Sequence, residues 1–80
     1  MRFYFYLTPL PDGRWALFSS LDAKPTLHPD KLSAMLDAKT KCLRHWEQTG
    51  TPCGVRVQAR YGKWEDHHLV GGVSEEAGQP

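Results

Sequence analysis

The segment Val55-Arg56-Val57-Gln58-Ala59-Arg60-Tyr61 alternates between apolar and polar residues along most of its length. A period of two marks a β-strand, so Val55, Val57, Ala59 and Tyr61 are expected on one face and Arg56, Gln58 and Arg60 on the other. A second segment, Phe3-Tyr4-Phe5-Tyr6-Leu7, is aromatic or apolar on both faces. Only one stretch of the chain has a helical pattern long enough to cover a sheet. One sheet face is therefore expected to be left uncovered, with tyrosine and arginine on it.

The rest of the chain arranges itself around these two strands. The first runs from about Arg2 to Thr8. Pro9-Leu10-Pro11-Asp12-Gly13 reads as a turn, since proline fixes φ and removes donors while Asp-Gly tolerates positive φ. Arg14-Trp15-Ala16-Leu17-Phe18-Ser19 follows as a second strand, antiparallel to the first because the connection is short. Residues Ser20 to His28 read as a loop. Pro29 suits the first position of a helix and Asp30 complements its positive end. The helix is expected to run to about Thr49, with Gly50 as the residue that ends it. At 100° per residue, Leu32, Met35, Leu36, Cys42, Leu43 and Trp46 share one sector, which reads as the buried face. Lys39 falls inside that sector, and Asp37 and Lys41 form an i,i+4 pair opposite it. Thr51 to Gly54 returns the chain to the strand Val55–Tyr61, Tyr61-Gly62 makes a tight turn, and a last strand runs from Lys63 to about Leu69.

The fold class expected is α+β: a small antiparallel sheet in the order β-β-α-β-β, with one amphipathic helix packed on one face. The domain spans residues 1–70, and residues 71–80 are a polar tail expected to be disordered. Eighty residues bury only roughly 60% of the surface that the unfolded chain exposes, so a large ligand pocket would compete with the core for the same side chains. The layout resembles a small bacterial domain family of unknown function. The residues that carry the resemblance are Trp15-Ala16-Leu17 in the early hairpin, the amphipathic helix, and the strand Val55 to Tyr61 leading into Gly62-Lys63. It implies the fold and no activity. This chain departs from the family in its cysteines and in the extra aromatic residues of its first strand.

Net charge is +1, but it is unevenly spread. Residues 39–63 carry Lys39, Lys41, Arg44, Arg56, Arg60 and Lys63 against Glu47 alone, whereas residues 64–80 carry Glu65, Asp66, Glu75 and Glu76 and no basic residue. A basic block beside an acidic stretch points weakly to a polyanionic partner. The apolar run after Arg2 is cut off by Pro9, well short of a secretory or membrane-spanning segment. With two cysteines and no export signal, the setting expected is reducing and cytoplasmic.

Catalytic and metal-binding patterns are thin. Cys42, His45, Cys53 and the pair His67-His68 could supply zinc ligands, but Cys-x2-His followed by a lone cysteine matches no finger or ribbon spacing. A Cys42–Cys53 disulfide is within geometric reach across the helix end, although a reducing compartment reads against it. Walker loop, GxGxxG and nucleophile elbow are all missing from the sequence. Neither a catalytic residue, a metal site nor a cofactor is expected.

The uncovered sheet face is what remains. Tyr4 and Tyr6 share one parity, as do Arg56, Gln58 and Arg60. Tyrosine, tryptophan and arginine dominate protein–protein hot spots, so the first expectation is a non-enzymatic interaction protein that docks this face on a protein or nucleoprotein. Small phage-encoded inhibitors, anti-CRISPR proteins among them, have this character. The second expectation is a nucleic-acid-binding module that uses the same face together with Lys39, Lys41 and Arg44, although an RNP-type sequence is missing. The third is a homodimer that spends the face, or the edge of the aromatic strand, on itself.

Overall fold

The computed structural model describes residues 2–59 and 62–71, apart from the side chain of His68. Arg60, Tyr61 and the stretch 72–80, on which three of the expectations above rest, lie outside the described residues. The elements are β1 (Phe3–Pro9), β2 (Trp15–Phe18), β3 (Thr26–His28), α1 (Lys31–Thr49), β4 (Cys53–Gln58) and β5 (Trp64–Val70). They form one five-stranded sheet in the order β3-β2-β1-β4-β5, with α1 packed on one face. The α+β class and the single covering helix are as the sequence implies.

Two features of the layout differ from that reading, and they share one cause. Thr26-Leu27-His28 is a strand, paired antiparallel with β2 through Trp15↔His28, Ala16↔Leu27 and Leu17↔Thr26. Three residues after a proline are too few to show a period, and this segment was expected as loop. The added strand reverses the chain once more before the helix. The 19-residue α1, about 28 Å long, then carries the chain back to the end at which β1 begins. As a result β4 runs parallel to β1, from Phe3↔Cys53 to Leu7↔Val57, and the sheet is mixed where an antiparallel one was expected. The same topology places β1 at the centre of the sheet. Its edge is not available for pairing with a second copy.

The β1–β2 turn closes through Leu10 N–H to Arg14 O (2.8 Å) and Gly13 N–H to Leu10 O (3.0 Å), with Gly13 at φ 93°. Asp12 accepts from both the backbone and the guanidinium of Arg14, which holds its carboxyl below the usual range. The helix starts two residues later than expected. Asp30 is its N-cap, extended at φ −154°, and its carboxylate accepts from Ser33 N–H at 2.8 Å, so Pro29 precedes the cap. Gly50 ends it in the left-handed region, donating its N–H to Trp46 O.

The buried face of α1 also agrees only in part with the one that hydrophobicity points to: Cys42 is buried and Met35 packs against the core, but the face is centred on other residues. Ala34, Ala38 and Cys42, at i, i+4 and i+8, are fully closed to solvent, whereas Leu32 and Leu36 are 70% and 57% exposed. Leu43 and Trp46 are exposed in lesser degree. Phe5, Leu7, Leu17, Val55 and Val57 already fill the layer beneath the helix. A stripe of small side chains lets the backbone of α1 settle close to them, and leucines there would hold it off. Phe3 joins this inner layer by stacking on His45, ring centroids 4.5 Å apart.

Candidate functional site

Strand alternation dictates the outer face. Because Phe5, Leu7, Val55 and Val57 point to the helix, the intervening Tyr4, Tyr6, Thr8, Arg56 and Gln58 point away from it. Pairing brings further side chains to the same side. Tyr6 lies opposite Phe18 of β2, Gln58 opposite Trp64 of β5, and Arg56 opposite Asp66. Among the described residues, no helix or loop covers this face.

Two clusters occupy it. The first is aromatic: Tyr6 stacks on Phe18 (5.5 Å, 21° between planes), and the Trp64 ring stands edge-on to Tyr6 (5.3 Å) and to Phe18 (6.4 Å). These separations suit offset and T-shaped ring pairs. Trp64 keeps 42% of its surface open to solvent, so one ring of the cluster stands exposed. The second cluster is ionic. Arg56 lies over the ring of Tyr4, 3.8 Å from its centroid, and its Nε donates to Asp66 at 2.8 Å. The Asp66 carboxylate tightens the hold of Arg56 on its proton. Thr8 donates its hydroxyl to Gln58 Oε1 one row beyond Tyr6 and Arg56, on the side away from Tyr4.

At the end of the face near Arg2, a shallow hollow of about 240 Å³ is lined by Arg2, Tyr4, Asp66, His67 and Leu69. A β-bulge at Val55/Arg56 shifts the β4–β5 register there. His67 Nε2 comes within 3.3 Å of Glu65.

The structure brings together four of the expected site residues, Tyr4, Tyr6, Arg56 and Gln58, and Arg60 is outside the described residues. Lys39, Lys41 and Arg44 do not join them. They belong to α1, on the far side of the sheet, where Lys41 approaches Asp37 at 3.4 Å and Asp37 also meets His28 at 3.0 Å. Sequence reasoning missed Phe18, Trp64 and Asp66. Parity across the β1–β2 hairpin would have assigned Phe18 to the tyrosine face, but the tight Tyr61-Gly62 turn expected from the sequence sets Gln58 opposite Glu65 and so turns Trp64 and Asp66 the other way, whereas the structure pairs Gln58 with Trp64.

The other chemistry-bearing residues lie away from this face. Cys42 and Cys53 lie in the core as free thiols, and His45 is stacked on Phe3. No three histidine, cysteine, aspartate or glutamate side chains converge as metal ligands among the described residues. Within the same residues, no helix is long and apolar enough to cross a membrane. No family model matches this chain, and no curated protein or solved structure matches it significantly.

Proposed function

We propose that this chain is a non-enzymatic interaction protein that docks the outer face of its sheet on a protein surface. The observation that carries the reading is the uncovered cluster Tyr6–Phe18–Trp64, adjoined by Arg56 over Tyr4. Tryptophan, tyrosine and arginine are the residues whose truncation costs most in protein interfaces. Here their rings already lean on one another, so little side-chain freedom is left to lose on docking. Occupying a partner's surface in this way is how a small phage-type inhibitor would act.

The charge arrangement favours a protein over nucleic acid. Arg56 is committed to Asp66, a carboxylate that repels phosphate, and the helix bases lie on the opposite layer. Light scattering at several protein concentrations, in low and high salt, comes first, and a monomer throughout is the expected result. The chain and its Trp64→Ala variant then serve as bait, after nuclease treatment. Retention of a discrete protein by the parent but not by the variant supports the reading. Equal retention by both, or a salt-tolerant dimer that Trp64→Ala dissolves, overturns it. Binding to single-stranded nucleic acid that fades steeply with salt and is lost in Arg56→Ala would put the nucleic-acid reading in its place.

A further inference from the structure

Cys42 on α1 and Cys53 at the start of β4 are both fully buried in the core, on facing elements. Their Sγ atoms are 2.6 Å apart. Non-bonded carbon atoms rest at about 3.5–4.0 Å, and sulfur, being larger, rests no closer. The two side chains therefore point directly at each other across the helix–sheet junction. We propose that Cys42 and Cys53 form a thiol-oxidation site, joined as an intramolecular disulfide when the chain folds in contact with a disulfide oxidant of the glutathione class.

The chemistry is an exchange in two steps. One cysteine thiolate attacks glutathione disulfide, whose S–S bond breaks and releases one glutathione thiolate. The protein sulfur is left in a mixed disulfide. The second cysteine thiolate attacks that sulfur, forms the Cys42–Cys53 bond and expels the second glutathione. Two protein S–H bonds are lost and one S–S bond is made. One glutathione disulfide becomes two thiols, which take up both protons.

The site has to be loaded during folding. In the folded chain neither sulfur is open to solvent, and burial raises the pKa of both thiols, so the attacking thiolate is scarce and out of reach. The redox state set as the helix docks is then retained. The bond would tie residues 11 apart, closing the last turns of α1 and the Gly50 turn into a ring against β4.

The test uses the whole chain. It is unfolded and reduced, then refolded either with dithiothreitol or with a mixture of reduced and oxidised glutathione, and alkylated under denaturing conditions. After oxidative refolding the expected product has no alkylatable thiol, and its unreduced digest contains Cys42 and Cys53 in one cross-linked peptide pair. Its Tm should exceed that of the reduced form by roughly 10 °C or more. Cys53→Ser should melt at one temperature under both conditions. Two alkylatable thiols after oxidative refolding, glutathione left on a single cysteine, or a cross-linked form that melts no higher than the reduced one would overturn the proposal. If Cys53→Ser does not fold, the comparison within the parent chain still decides.

Discussion

Two apolar surfaces of this molecule lie outside its core, and they are built differently. On the outer face of the sheet, Tyr6, Phe18 and Trp64 hold one another at ring separations of 5.3 to 6.4 Å. On the helix, Leu32, Leu36 and Leu43 are exposed, and none belongs to the packed core cluster. The first surface has already surrendered the side-chain freedom that binding would remove, and the second has not. Exposed apolar area alone does not distinguish them. Mutual support among the exposed groups does.

Substitutions can break or sharpen that contrast, with a core residue as the scale. Leu7→Ala, at a fully buried position, should cost about 2–5 kcal/mol, read from chemical denaturation. Ala38→Leu should cost about 1–3 kcal/mol by prising the helix from the sheet. A neutral result there would mean that α1 does not rest on its alanine side. Trp64→Ala should cost about 1 kcal/mol, because it removes two ring pairs and only part of a buried surface. A loss as large as that of Leu7→Ala would make the outer face a second core. Leu36→Ala should stay within about 0.5 kcal/mol, and a larger effect would show the helix stripe to be covered in solution.

The smallest effect is a pH dependence. The Ser33 backbone N–H holds the Asp30 carboxyl below its usual 3.8. A folded value below the unfolded one adds stability above about pH 4, which is lost as pH falls through the folded value. Asp30→Asn caps the helix without titrating, so its acid unfolding curve should be shallower than that of the parent chain. Parallel curves would remove Asp30 from the acid response.

The face that sequence patterning identified correctly is the one with the strictest geometry. In a strand each residue is up or down, so Tyr4, Tyr6, Arg56 and Gln58 were assignable from parity alone. The helix offered a continuous choice of angle, and the leucines drew the reading toward themselves. Ala34 and Ala38 look indifferent in a hydrophobic pattern, yet closeness of approach selects them. β3 escaped because three residues cannot display a period, and the direction of β4 was lost with it. The Arg56–Asp66 pair depended on a β4–β5 register one residue off that of a two-residue turn, which no local signal announces.

The central position of β1 also has a consequence for the order of assembly. Its partner β4 is synthesised about 50 residues later, the separation of Thr8 and Gln58. Until β4 emerges from the ribosome, the most aromatic strand of the chain has only the short β2 beside it, and one flank of hydrogen-bonding groups stays open. Long-range parallel pairing of this kind makes folding slow. The growing chain thus exposes this aromatic segment well before its second flank can be covered, so aggregation during synthesis, more than unfolding afterwards, is where a chaperone would matter to this protein.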